Sequence, residues 1–227
     1  MPDVAPVRSV RAAQVWALLT VAVVAFALVA QLVLVITGAS VLVDTTEPPG
    51  LATRLLRFVS YFTVQSNVLV LATCWALIRQ PAYDGRLWRV ARADAVAGIT
   101  ITGVVHWFFL RPLLDLHGWA YVTDKLLHVA VPLLAVAGWL AFGPRRRIGW
   151  PTVLPALVWP TAWLLYTLVM GAITSWYPYP FLDVTKHGYG SVLLASLGVA
   201  IALVVVLSAL VALDRPLRGR GAREIAT

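Results

Sequence analysis

Charged residues and cysteine are scarce in this chain, and each scarcity excludes something. Only 12% of the 227 residues are Asp, Glu, Lys or Arg, while 60% are hydrophobic and the mean hydropathy is +0.84. A soluble core cannot absorb that much apolar surface, so the bilayer must be the main solvent. Cys74 is the single cysteine, which excludes an intrachain disulfide and a cysteine-rich metal site. Glycine-rich phosphate loops and redox cofactor boxes are missing, and no cofactor is expected. No internal or inverted repeat appears, which argues against transporters built on repeat symmetry.

Apolar stretches long enough to cross a hydrocarbon core, roughly 20 helical residues, occur at about 12–38, 52–78, 94–113, 120–142, 152–173 and 189–213. The connections are short and leave no room for a soluble domain. The expected fold is therefore all-α: a polytopic membrane protein with six transmembrane helices in one bundle, a single domain over residues 1–227. The first stretch follows Arg8 and Arg11, as in a signal peptide, but is too long for a cleavable core and reads as retained.

The net charge of +8 is distributed unevenly. Arg8, Arg11, Arg79, Arg86, Arg89, Arg92, Arg145, Arg146, Arg147, Arg215, Arg218, Arg220 and Arg223 all fall on one side of a six-span topology. Asp44, Glu47, Asp115, Asp124 and Asp183 fall on the other. By the positive-inside rule both termini are cytoplasmic in the plasma membrane. The arginines set topology and contact anionic lipid, so membrane lipid is the expected partner and nucleic acid is not.

Polar groups inside apolar spans carry the functional signal. Ser60, Thr63, Gln65, Ser66 and Asn67 interrupt the second span, with Ser60, Thr63 and Asn67 on one helical face. In a continuous helix over 52–78, Thr63 lies roughly 15 Å below the outer end, near the depths of His128 and His106 on two other spans. Thr63 and His128 can form a nucleophile and its general base. Asp124, four residues before His128, can orient the imidazole. Asn67 and Gln65 are candidates to hold a developing oxyanion. His106 is a second base, a donor or a substrate contact.

The remaining polar residues have two readings each. Ser60 and Ser66 line a substrate pocket or bond to neighbouring helices. Trp176, Tyr177, Tyr179 and Asp183 belong to a proline-interrupted aromatic loop that either dips between helices to gate a pocket or anchors the interface. No metal is expected, because the histidine spacings match no recognised ligand pattern. Two non-enzymatic readings stand beside the hydrolase: a lipid-binding or small-molecule transport protein, and a scaffold whose polar residues join helices. Below Asn67 the second span offers only Thr73 and Cys74, which favours a one-sided site over a permeation path.

Three motifs carry a resemblance. Phe58-Val-Ser-Tyr-Phe-Thr-Val-Gln-Ser-Asn67, Leu126-Leu-His-Val-Ala-Val-Pro132 and Trp176-Tyr-Pro-Tyr-Pro-Phe-Leu-Asp183 resemble the signatures of bacterial six-pass membrane proteins of the Pr6Pr family. With Gly188-Tyr-Gly190 and Asp214-Arg215, that similarity spans nearly the whole chain. More distantly, the motifs are similar to the androgen-induced and androgen-dependent membrane hydrolases of animals. The resemblance implies an intramembrane threonine nucleophile at Thr63 and a catalytic histidine at His128. It also implies a lipid-like ester substrate of the kind formed by fatty acids and hydroxy fatty acids. The animal enzymes carry an amide where this chain has Asp124, so an orienting carboxylate is this chain's own feature.

Overall fold

A computed structural model describes residues 7–38, 49–143 and 147–214. Asp44, Glu47, Arg145, Arg146, Arg215, Arg218, Arg220 and Arg223, used above to orient the chain, lie outside the described residues. Every regular element among the described residues is helical. Six helical segments are long and apolar enough to cross a membrane: Val10–Thr37, Phe62–Arg79, Arg86–Leu113, Gly118–Phe142, Trp150–Thr174 and Val184–Asp214. Phe108, Phe109, Leu133, Leu154, Ile173 and Leu194 stand at least 60% exposed on the bundle exterior. Such a continuous apolar surface suits lipid rather than water.

The elements are α1 (Val7–Thr37), α2 (Leu51–Ser60), α3 (Phe62–Arg79) and α4 (Arg86–Val105). They continue with α5 (Gly118–Lys125), α6 (Val131–Phe142), α7 (Trp150–Ala156), α8 (Val158–Thr174) and α9 (Val184–Asp214). The third span forms the centre of the bundle. Of its most apolar stretch 61% is buried, against 11% for the α7–α8 span at the periphery. Buried Ala93, Ala95, Ala97 and Gly98 explain this, since small residues let helices approach closely in a membrane. At Gly98 a Cβ would lie 2.9 Å from the Trp159 ring, so the glycine makes the seat for that indole.

Two expectations need correction. The second span is not one helix over 52–78. It breaks at Tyr61, whose backbone is extended (φ −68°, ψ 129°), and α2 is a separate short helix. No proline causes the break. The Tyr61 ring instead packs edge-on against Trp176 and Tyr179, each at 5.8 Å, which fixes the backbone there. Arg54 of α2 donates to the Ile36 carbonyl at the end of α1, and Arg57 lies 4.9 Å over the Trp176 ring. The third span begins at Arg86 rather than 94, so Arg86, Arg89 and Arg92 are helical residues and not loop residues.

The helices are also locally unwound where the chemistry gathers. His106–Leu110 and Leu126–Ala130 are π-helical turns, one after α4 and one between α5 and α6. Pro132 has no N–H to give the His128 carbonyl, and Pro112 has none for Phe108, so the ordinary α-helical ladder cannot run through either position. The N–H groups of Arg111 and Val131 bond instead to the carbonyls of His106 and Leu126, five residues back. Such turns recur at functional sites.

Candidate active site

Four segments converge on Thr63. Because of the break at Tyr61, Thr63 is the second residue of α3 and sits at a helix N-terminus, not in the middle of a span. Its depth estimate from a continuous helix therefore does not hold. What brings it to the histidines is the packing of the α3 N-terminus against the two π-turns. Gly103 on α4 allows this approach, since a Cβ there would come within 3.3 Å of the His128 carbonyl and the Pro132 ring.

Thr63 Oγ1 lies 3.2 Å from His128 Nε2. His128 Nδ1 is 3.0 Å from the Asp124 backbone carbonyl, with Asp124 Oδ1 at 3.1 Å beside it. Both neighbours of Nδ1 are acceptors, so Nδ1 carries the proton and Nε2 is left to accept from the Thr63 hydroxyl. Asp124 is 5% exposed and meets one ammonium and two imidazoles. Its Oδ2 is 2.9 Å from Lys125 Nζ and 3.3 Å from His106 Nε2. The His106 and His128 rings stack at 4.0 Å with planes 13° apart.

Tyr179 arrives from the aromatic loop. Ser175, in the left-handed region (φ 54°), ends α8, and the chain folds back until the Tyr177 ring lies against Gly171, where no Cβ would fit. A 3₁₀ turn at Pro180–Leu182 follows, and Tyr179 is left 6% exposed. Its hydroxyl is 3.2 Å from both the Thr63 N–H and Thr63 Oγ1. Burial raises the Tyr179 phenol, against the opposing pull of its contacts with Thr63 Oγ1 and with the Thr63 and Phe62 N–H groups, so it is a neutral O–H donor. Burial, with Tyr179 next, raises Tyr61 in the same way. The resulting chain runs from Tyr179 O–H to Thr63 Oγ1, and from Thr63 O–H to His128 Nε2.

Thr63 and Tyr179 also face a cavity of about 130 Å³, lined by Phe62, Val105, Leu110, Trp163, Phe181, Leu182, Val199 and Leu203, with Thr102, Thr161 and Ser196 as its further polar points. Phe62 is held there by stacking on Trp159 at 4.5 Å and meeting Trp163 edge-on at 5.0 Å. The walls are thus aromatic and apolar, and the polar atoms of the site enter at one place.

Other candidates from the sequence go elsewhere. Both Asn67 donor hydrogens are engaged, by the carbonyls of Thr63 at 2.8 Å and Leu127 at 3.4 Å, so Asn67 ties α3 to the His128 turn and offers no free donor. The Gln65 amide accepts from Trp159 Nε1 at 2.9 Å and donates to the Val59 carbonyl at 3.0 Å. Asn67 is thus no free oxyanion donor, and Gln65 is tied to Trp159 and Val59 rather than to Thr63. Ser66 pairs with Thr102 at 2.9 Å, and Ser60 with Tyr166 at 2.8 Å. Ser60 and Trp176 line a separate cavity of about 60 Å³. Asp183 accepts from the Thr185 N–H and hydroxyl at the start of α9. These bonds and the Lys186 ammonium outweigh burial and lower its carboxyl. Of the residues expected to line the pocket, only Tyr179 borders the cavity at Thr63.

One grouping runs against expectation. His106, Asp124 and His128 place potential metal-ligand atoms within 4.8 Å of one another. In the observed arrangement the Lys125 ammonium occupies Asp124 Oδ2, and the proton on His128 Nδ1 faces a backbone carbonyl. A metal ion ligated through Asp124 Oδ2 and His128 Nδ1 would have to displace both. Those contacts fit a hydrogen-bonded, charge-balanced cluster better than a ligand cage.

Sequence spacing did not reveal the contact of the Tyr179 hydroxyl with Thr63 or the cavity walls. The proline four residues after His128 and the one six after His106 are the signals that could have located the π-turns. Compared with known proteins, the chain matches no protein-family model, no curated sequence and no solved structure.

Proposed function

We propose that the protein is an integral membrane hydrolase of lipid-like esters, lying in the plasma membrane with both termini cytoplasmic and its site in the outer half of the bundle. The observation that carries this reading is Thr63 Oγ1 at 3.2 Å from a His128 whose other nitrogen is fixed by Asp124. The motif resemblance to membrane ester hydrolases of animals supports it, as does the apolar cavity beginning at Thr63.

Thr63 Oγ1 attacks the ester carbonyl carbon while His128 Nε2 takes the hydroxyl proton. Negative charge then develops on the former carbonyl oxygen, next to Oγ1. The Tyr179 hydroxyl stands where it can turn to that oxygen, and the N-terminus of α3 presents its positive end there. His128 returns its proton to the departing alkoxide, leaving an acyl-threonine and an alcohol. Water, deprotonated by the same imidazole, releases the carboxylic acid and restores Thr63. Asp124 keeps Nδ1 protonated and stabilises the imidazolium between the two transfers. The apolar walls exclude bulk water and strengthen these contacts.

The test is hydrolysis of a panel of long-chain chromogenic and lipid esters by the detergent-purified protein, beside Thr63→Ala and His128→Ala proteins of confirmed folding. The hydrolase reading expects turnover in the wild type and its loss in both variants. Wild-type turnover that survives both changes contradicts the mechanism. If the polar residues only join helices, the two changes alter stability and leave any turnover intact.

A further inference from the structure

A larger cavity lies at the other end of the bundle. It measures about 410 Å³, between α1, α3, α4 and α6, and its lining includes Ala13, Trp16, Cys74, Arg92, Leu134 and Arg147. Arg92 is on the same helix as Val105 and stands fourteen residues before His106, about 21 Å along an α-helix. The two cavities are therefore separate sites.

Arg92 is 4% exposed, and among the described residues its charge has no ion-pair partner. Its Nη1 reaches only the Cys74 sulfur at 3.6 Å, a weak acceptor, and its Nε has no partner. None of the ion pairs among the described residues involves it. Asp94 is two positions along α4, on a different face of the helix. Asp214 accepts from the Ile148 N–H. Arg147 lines the same cavity. The carboxylate facing it, Asp84 at 3.5 Å, is already bound by both the Nε and Nη2 of Arg89. Arg147 has both Asp84 and Asp214 as neighbouring carboxylates, so the cation left without a facing carboxylate among the described residues is Arg92.

A buried guanidinium keeps its proton, so it must be balanced by a partner. Besides Arg92 and Arg147 the cavity wall carries Gln14 and Thr20, and the remainder is apolar, with Trp16 and Leu134 on one side and the small Ala13 and Ala17 leaving room. Planar oxyanions pair with guanidinium through two parallel hydrogen bonds. We propose that this cavity binds an anionic amphiphile, its carboxylate or phosphate paired with Arg92 and its alkyl portion lying against α1 and α6. A membrane phospholipid and a free fatty acid both carry this chemistry. The site stands independently of any chemistry at Thr63.

The test titrates the delipidated protein in non-ionic detergent with dioleoylphosphatidylglycerol, oleate, inorganic phosphate and dioleoylphosphatidylcholine. Binding is read by thermal unfolding and native mass spectrometry. Phosphatidylglycerol or oleate should bind and raise Tm, and the tighter of the two identifies the source. Phosphatidylcholine and inorganic phosphate should bind at least tenfold more weakly. Arg92→Gln should weaken the preferred probe at least tenfold. Ala13→Phe, at the half-buried rim, should do the same without changing charge, and it serves if Arg92→Gln does not fold. Equal binding by the wild type and a folded variant overturns the proposal, as does equal binding of phosphatidylcholine. Binding of phosphate as tightly as the amphiphile, or of no probe at all, also overturns it.

Discussion

The two ends of the bundle treat buried charge in opposite ways. Around Thr63, one buried carboxylate, Asp124, gathers Lys125, His106 and His128 within 3.3 Å, so its charge is shared inside the protein. Around Arg92, one buried guanidinium meets a cysteine sulfur and a cavity. The first arrangement pairs its buried charge within the protein and suits chemistry that needs a fixed imidazole. The second is incomplete and suits a ligand that brings its own charge. Solvation cost explains why this contrast matters: an unpaired ion removed from water costs several kcal/mol, whichever its sign.

The comparison can be broken most directly at Thr63. Thr63→Ala should lower ester turnover by about a thousandfold or more, because no neighbouring hydroxyl can take its place on His128. The Tyr179 hydroxyl is the nearest, but it meets Oγ1 and not the imidazole. A single-turnover assay on the folded variant measures this. Tyr179→Phe should keep the aromatic packing and lose the donor, lowering kcat by about a hundredfold with KM little changed. A parallel loss in KM would instead assign Tyr179 to binding.

Charge removal at the two ends should differ in size. Asp124→Asn strands Lys125 and two histidines and should cost about 3–5 kcal/mol of stability, the usual penalty for leaving a buried ion unpaired. Arg92→Gln in delipidated protein should cost less than about 1 kcal/mol or stabilise, because it removes a charge that has no partner. Thermal or denaturant unfolding of both variants in one detergent compares them. Equal destabilisation would mean Arg92 is satisfied within the fold, and the contrast would disappear. The smallest effect expected is that of a chelator. Treatment with excess EDTA should leave Tm and any ester turnover unchanged, since Lys125 already occupies the carboxylate that a metal would need.

Helix number and approximate limits were legible because bilayer-crossing segments announce themselves by length and apolarity. Thr63, His128 and Asp124 were legible as polar residues in apolar surroundings, and the structure brings them together. The break at Tyr61 was not, because no proline or glycine marks it and the aromatic contacts that hold it come from residues more than a hundred positions away. The partners of Asn67 and Gln65 were not legible for a related reason. A helical-face argument gives direction but not the partner, and their partners are the Leu127 carbonyl and the Trp159 indole. Arg92 read as a loop arginine because it follows Arg86 and Arg89 in a run of positive charge. Burial separates it from them, and burial is a property of packing that periodicity alone does not supply.

The measurement that bears most directly on Thr63 is the mass of the protein after brief mixing with a long-chain p-nitrophenyl ester. Stopping the reaction with acid traps any acyl-enzyme for peptide mapping. The account predicts one added acyl group on the peptide containing Thr63, absent from Thr63→Ala. Nitrophenol released by the folded Thr63→Ala protein at the wild-type rate, or an acyl group mapped to another residue, would contradict it.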